Sequence, residues 1–393
     1  MSNKLKRNIP FHIPAIEKDD IEGVLETLHE GWITTGSKTE NFEKLFAEYI
    51  GSEYAIALNS GTSALHLCVE LANISRGDEV IIPTNTFTAT AEVCLYNNAI
   101  PKFVDINEKT YNIDTELIED SITNRTKAII PVHIGGLPCQ MEKIHEIGEK
   151  YGLKIIEDAA HAIESEYKNQ KIGNISELTA FSFYSTKNLT TGEGGMITTN
   201  NTYHADRLKI LRLHGMSKDA WKRYSKGGNW YYEIQDKGFK YNPSDILSAL
   251  GIQQLKKLSK RHEKRKILFN HYTECLQTCE EIICPEKPDN AVHGYHLYII
   301  RLKTDLLELT RNDFITELNK HGIECSVHFI PLHLQPYYQR EFGYKKGDFP
   351  IAEEVFREIV SLPLYPSLDI DDVDYIVENI KKVITDNRKK SKL

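Results

Sequence analysis

No apolar run in this chain approaches the length needed to cross a bilayer, and the N-terminal MSNKLKRNIPFHIP has no apolar signal region. A cytoplasmic protein that uses no membrane is expected. Positive charge is not in excess either: 48 Lys and Arg against 56 Asp and Glu give a formal net charge of −8, so the phosphate-binding footprint of a nucleic-acid partner is missing. The seven cysteines are odd in number and irregularly spaced. Cys275, Cys279 and Cys284 lack the C-x-x-C spacing of a zinc site, so reduced thiols and no metal are expected. Neither G-x-x-x-x-G-K-[ST] nor G-x-G-x-x-G occurs, which removes the P-loop and the dinucleotide fingerprint. There are no internal repeats, and 40% hydrophobic with 26% charged residues excludes a disordered or fibrous chain.

What is present is enough chain for more than one core, at 393 residues. Short apolar runs recur at Tyr54 to Leu58, Glu79 to Pro83, Pro101 to Ile106, Ala128 to His133, Lys154 to Glu157, Leu178 to Tyr184 and Met196 to Thr199. Most alternate with segments of helical composition such as SALHLCVELA, so the fold class predicted is α/β, with a largely parallel seven-stranded sheet covered by helices. Ahead of it, Ile21, Val24, Leu25 and Leu28 at helical spacing predict an amphipathic helix packed on the main body. A second helix would bury Phe42, Leu45, Phe46 and Tyr49. After Pro243, one or two long helices bridge to a smaller α+β unit with strands at His296 to Leu302 and Glu324 to His328, and helices at Thr310 to His321 and Ile370 to Thr385. The domains expected are 1–250 and 251–393.

Four local patterns suggest chemistry. In FSFYSTKNLTTGEGG, Lys187 stands among Ser, Thr and Asn just past a short apolar strand, where α/β sheets carry their sites; the plain alternative is a surface lysine. In IALNSGTSAL a strand turns through Gly61, Thr62 and Ser63 into a helix, which aims free N–H groups and hydroxyls at an anion, although Ser or Thr is also the routine helix cap. In KIIEDAAHAIE, Asp158 ends a buried strand and needs a cationic partner unless it only caps the next turn. Phe87, in PTNTFTAT, offers a flat surface for a ring or else is core. A phosphate cradle, a carboxylate for a ring nitrogen, a stacking aromatic and an isolated lysine together match what pyridoxal phosphate requires.

In their order these segments resemble the nucleotide-sugar aminotransferases of the DegT/StrS group, fold-type-I pyridoxal-phosphate enzymes. The likeness runs nearly end to end, through GWITTG, NSGTSAL, PVHIGGLPC, EDAAHA, LRLHGMSKDAWKRY, GFKYNPSDILSALGIQQL, YHLYIIRL, VHFIPLHLQPYY and SLPLYPSL. The resemblance implies pyridoxal 5'-phosphate, cycling through its pyridoxamine form, with Lys187 bonded to it and Asp158 on its ring nitrogen. It implies that Gly61, Thr62, Ser63 and Ser182 hold the phosphate, that Phe87 stacks on the ring, and that His161, where many members have Gln, lies beside the phenolic oxygen. Lys240, where many relatives have Asn, or else Asn242, reaches the phosphate of a neighbouring subunit, which makes a homodimer with shared sites. Thr34, Thr35 and His328 are the substrate residues implied. The expected reaction transfers nitrogen from L-glutamate to a keto sugar on a nucleoside diphosphate, most simply a 4-keto-6-deoxyhexose, with a 3-keto sugar as the alternative. A sister group that removes a hydroxyl has histidine at the lysine position, and Lys187 argues against it.

Overall fold

A computed structural model describes residues 7–217, 231–287 and 290–389. Helices α1 (Lys18–Glu30) and α2 (Ser37–Ile50) precede an alternation of β1 (Tyr54–Leu58), α3 (Gly61–Leu71), β2 (Glu79–Pro83), α4 (Ala89–Tyr96), β3 (Ile100–Val104), β4 (Thr126–Ile129), α5 (Met141–Tyr151) and β5 (Lys154–Asp158). A short hairpin, β6 (Glu166–Tyr167) and β7 (Gln170–Lys171), leads to β8 (Leu178–Ser182), β9 (Gly195–Thr199) and α6 (Thr202–Leu211). The main sheet has seven strands in the order β1-β9-β8-β5-β4-β2-β3. Strand β9 runs antiparallel to both β1 and β8, and the other pairings are parallel. All seven predicted strands are therefore present, in a mostly parallel sheet.

Successive side chains on a strand face opposite ways, so a sheet covered on both sides needs apolar residues at every position. Strand β1 shows this: Ala55 and Ala57 join one buried cluster with Phe42, Phe46 and Ile144, whereas Ile56 and Leu58 join another with Leu67, Val69 and Val93. The sheet strands that precede the site all end at one edge, and that edge receives the turn after β1, the loop after β2, Asp158 of β5 and Ser182 of β8.

The expected amphipathic helix forms as α1, but with its face reversed. Asp20, Gly23 and Thr27 are the buried residues, while Ile21, Leu25 and Leu28 are 54%, 47% and 48% exposed. The reason is polar: the Asp20 carboxylate accepts from Glu17 N–H at 2.7 Å and pairs with Lys257 at 2.8 Å. Gly23 lets the helix approach Gln253, whose Cγ would lie 3.1 Å from an added Cβ. The second predicted helix buries Phe42 and Phe46 as expected.

The long run after Pro243 is two helices, α7 (Asp245–Lys256) and α8 (Leu258–Leu276), which break at Lys257. Beyond them come β10 (Ile282–Ile283), β11 (Ala291–Val292), β12 (Tyr298–Leu302), α9 (Arg311–Lys320), α10 (Pro336–Phe342), α11 (Pro350–Glu358), β13 (Ile359–Leu362) and α12 (Ile370–Asp386). Strands β10, β12 and β13 form a small antiparallel sheet over a core that includes Leu268, Phe269, Phe314 and Ile376. Ile9 packs in this core as well, far along the chain from it. Glu324 to His328, expected as a strand, makes only one bridge, Ser326 to Ser361. The segment then leaves the small sheet, because Phe329 N–H donates to Asn85 Oδ1 at 3.0 Å at the edge of the large one. No helix among the described residues is long and apolar enough to cross a membrane.

The three suspect cysteines do not come together; among the described residues Cys275 alone stands in a group with metal-ligand spacing, with His271 and Asp374. Cys279 Sγ turns to Glu281, while Cys275 lies 3.8 Å from His271 Nε2, which is held by Asp374 at 2.7 Å. That His271–Asp374 pair ties α8 to α12.

Candidate active site

A cavity of about 490 Å³ opens at the strand ends, between the large sheet and the segment around His328. Gly61, Thr62, Phe87, Asp158, His161, Ser182, Lys187 and His328 all line it. Eight residues expected from five stretches of the sequence thus meet in one space.

The phosphate-sized end is built by close approach of backbone. Helix α3 begins at Gly61 against Ser182, where an added Cβ would sit 2.8 Å from Ser182 Cβ. Gly195 of β9 is tighter still, since its Cβ would meet Ser60 O at 2.3 Å. Only glycine permits this packing, and the result leaves Thr62 and the α3 N-terminus open to an anion. Ser63 is different from its expected placement. Its N–H donates to Ser60 Oγ at 3.0 Å and its hydroxyl is held by Ser60 and Asn59, so it is taken up within the first turn of the helix and does not line the cavity. Ser60, the actual cap, lines the cavity in its stead.

Glu157 and Asp158 are adjacent on β5 and so face opposite sides of the sheet. Glu157 is spent internally, accepting from His133 Nε2 at 2.9 Å and Ser176 N–H at 3.0 Å. Asp158 faces the cavity at 5% exposure, accepting from Thr90 Oγ1 at 2.8 Å and Ala160 N–H at 3.1 Å. Burial pushes its carboxyl up from the usual range, against the Thr90 and Ala160 hydrogen bonds and the Lys187 charge. It therefore does cap a turn through Ala160, and among the described residues it has no cation in contact.

Lys187 sits in the loop between β8 and β9, partly covered, with its own N–H donating to Tyr184 O. Burial draws its ammonium down to about 8, while Asp158 works in the opposite direction. At pH 7 roughly a tenth of such an amine is neutral, against well under a thousandth for an ordinary lysine. Four imidazoles line the same space, those of His12, His161, His296 and His328. Burial first, and the Lys187 charge in addition, lowers each of them, so they are neutral. His161 Nδ1 accepts from Gly135 N–H at 3.3 Å, which leaves the hydrogen on Nε2 as a donor. Its ring stacks on Phe329 with centroids 6.0 Å apart. His328 Nδ1 lies 2.8 Å from Ser361 Oγ. Phe87 is 59% exposed, so it is not core, and its ring lies 6.0 Å from that of Phe329.

Besides Ser63, four expected site residues do not line this cavity. Thr34 is exposed, with its carbonyl accepting from Asp245 N–H. The Thr35 hydroxyl donates to Pro243 O and accepts from Asn242 Nδ2 at 2.6 Å, so in its own chain it clasps α2 to the start of α7. Lys240 is exposed, and Asn242 retains a buried Oδ1 with no partner. The segment LRLHGMSKDAWKRY runs from Leu211 into residues 218–230, which lie outside the described residues.

Among the lining residues left unassigned in the sequence, three carry polar groups that bear on the site. Ser60 carried the signal of a cap in S-G-T-S. His296, in the quoted YHLYIIRL, is buried with Nδ1 3.1 Å from Asn188 Oδ1, next to Lys187 in the chain. His12 is 175 residues from Lys187 in the sequence (187 − 12), and no local pattern could have joined them.

A family model for DegT/DnrJ/EryC1/StrS aminotransferases matches residues 14–381. The chain belongs to that family. The DegT/DnrJ/EryC1/StrS relatives include the spore coat polysaccharide biosynthesis protein SpsC of Bacillus subtilis, 45% identical over 96% of this chain and 98% of the relative. Among solved structures, the proposed sugar aminotransferase Spr1654 of Streptococcus pneumoniae in its PMP form is similar with a TM-score of 0.90 and 34% identity, covering 97% of this chain and 98% of that one. Its PLP form is equally alike, with a TM-score of 0.89. Helicobacter pylori PseC, an aminotransferase involved in the biosynthesis of pseudoaminic acid, has a TM-score of 0.89 at 29% identity, covering 97% and 100%. The fold is accordingly that of fold-type-I enzymes, and the protein is a pyridoxal-phosphate-dependent sugar aminotransferase. The cavity fits the cofactor: a glycine-built cradle, a buried carboxylate without a cation in contact and a lysine of lowered pKa stand in one space.

Proposed function

We propose that this enzyme moves an amino group from L-glutamate to a 4-keto-6-deoxyhexose carried on a nucleoside diphosphate, giving an amino sugar for a surface polysaccharide or glycan. The observation that carries the catalytic part is Lys187 and Asp158 on one cavity, each shifted toward its neutral form by burial. Bound there, pyridoxal phosphate supplies the electron sink that lets an amine's α-hydrogen leave as a proton. The N–H groups at Gly61 and Thr62, with the Thr62 and Ser182 hydroxyls, would hold its phosphate. Asp158 would keep a proton on the ring nitrogen, and that proton would give Asp158 the positive partner its burial demands. Phe87 would cover one ring face, and His161 Nε2–H would be free to donate to the phenolic oxygen. Lys187, as a free amine, would be the base that takes the proton from the donor's α-carbon and the acid that gives it back. Toward the keto sugar it would act in the opposite sense.

The sugar assignment is supported by the polysaccharide biosynthesis in the name of SpsC, by the sugar aminotransferase name of Spr1654 and by the involvement of PseC in the biosynthesis of pseudoaminic acid. Its test is an assay of 3-keto and 4-keto sugar nucleotides with glutamate as donor. Turnover of a 4-keto-6-deoxy substrate is expected, and exclusive turnover of a 3-keto sugar would reject the carbon assignment.

We further propose that two copies share their sites. Supporting this, Lys240 and Asn242 do not line their own cavity, Phe87 is open to one side, and α1 turns Ile21, Leu25 and Leu28 outward. A second copy is the occupant that would cover such a face in a closed twofold assembly. Mixing Lys187→Ala with a Lys240→Ala/Asn242→Ala double variant should then restore about half a native site per dimer after co-refolding, roughly a quarter of wild-type activity, as random pairing of the two chains dictates. Proven mixed dimers that stay inactive would assign Lys240 and Asn242 to their own chain.

A further inference from the structure

The segment ahead of α1 is stitched to the small sheet's side of the molecule. Ile9 N–H donates to Gly322 O at 2.7 Å, and the Ile9 carbonyl accepts from Glu324 N–H at 3.0 Å. Gly322 has φ of +75°, and an added Cβ there would meet Arg7 O at 2.1 Å, so the segment lies flush on the chain beneath it. This attachment carries Phe11 and His12 into the cavity wall, with the Phe11 ring stacked 5.5 Å from that of His328.

His12 has an unmet need. Its Nε2 is buried without a hydrogen-bond partner, and buried polar atoms in folded proteins nearly always have one. The ring is also held uncharged: burial and the Arg265 guanidinium, which has no carboxylate within ion-pair distance among the described residues, draw it down to about 4. A neutral imidazole nitrogen is either a donor or an acceptor. A hydroxyl satisfies both forms, a carboxylate satisfies one, and an apolar group satisfies neither.

The position of His12 then selects the part of the substrate. His12 adjoins the Ser185 backbone and lies in the field of Lys187. The carbon that receives nitrogen must come within reach of Lys187, so the sugar faces His12 and the nucleotide lies farther away. We infer that His12 reads a hydroxyl of the sugar next to the reacting carbon, and so helps set which sugar is accepted. This rests on the nucleotide-sugar reading above and names a contact within it.

Binding to the cofactor-loaded enzyme tests the inference without turnover. Calorimetry would use UDP-N-acetylglucosamine, dTDP-glucose and GDP-mannose, each beside its own nucleoside diphosphate, on wild type, His12→Phe and His12→Gln. For the sugar nucleotide that binds best, His12→Phe should weaken binding about tenfold, the scale of one lost hydrogen bond. His12→Gln, which retains a donor and an acceptor, should recover most of it, and the matching nucleoside diphosphate should bind all three proteins alike. Equal weakening of sugar nucleotide and nucleoside diphosphate would overturn the inference, as would unchanged binding in His12→Phe. A wild type that binds the nucleoside diphosphates but none of their sugars would also overturn it while leaving a nucleotide site; one that binds neither would overturn the nucleotide-sugar reading itself.

Discussion

Lys187→Ala is expected to abolish multiple turnover and leave the fold intact. The side chain lies in a loop at the cavity and no ion pair or cap among the described residues depends on it, so its removal takes away the proton carrier and the covalent anchor alone. Burial without a carboxylate in contact is a cost to the folded chain, since it holds the ammonium down to about 8 from its ordinary value. The sign of the stability effect follows. A base whose folded pKa is depressed opposes folding where it is protonated, and that penalty disappears as pH rises through the folded value toward the unfolded one. The cofactor-free variant should therefore be at least as stable as wild type at pH 7 and lose that advantage by about pH 10. Thermal unfolding of the two apoproteins at both pH values checks this. Glutamate turnover by purified Lys187→Ala, without added amine, would remove Lys187 from the chemistry.

Asp158→Asn is expected to lower turnover a hundredfold or more, the scale for losing one preorganised electrostatic partner. The shape is nearly kept: the amide oxygen can still accept from Ala160 N–H, as Oδ1 does at 3.1 Å, and the amide NH2 takes the place of Oδ2, where the Thr90 hydroxyl, a donor at 2.8 Å, can turn to accept. What goes is the negative charge that would hold a proton on the ring nitrogen. Steady-state rates beside cofactor occupancy, read by absorbance, separate the two roles. Near-native turnover at full occupancy would reduce Asp158 to the cap of the turn after β5.

The main sheet was legible because its strands are buried on both faces and read as short apolar runs between helical segments. Tyr54 to Leu58 and Glu79 to Pro83 match β1 and β2 residue for residue. Periodicity located α1 but misassigned its covered side, because Asp20 with its Lys257 and Arg261 partners, brought from more than 230 residues away, outweighed an apolar stripe. Similar long-range hydrogen bonds decided Thr35, whose hydroxyl goes to Pro243, and the segment at Ser326, which Asn85 draws off the small sheet. Within the cradle, Ser60 and Ser63 are equivalent as letters; that Ser60 both caps the helix and fronts the cavity depends on its φ and ψ, extended at −164° and 161°. Lys187, Asp158 and Phe87 were found because each sits oddly for its own stretch. His12 and His296 are ordinary in theirs, and only the fold brings them to Lys187.

The most direct test of the account is where the cofactor bonds. Borohydride reduction of the enzyme loaded with pyridoxal phosphate, then digestion and mass spectrometry, should find the phosphopyridoxyl group on the peptide containing Lys187 and on that residue. A stable adduct on any other lysine, with Lys187 unmodified in an active preparation, would contradict it.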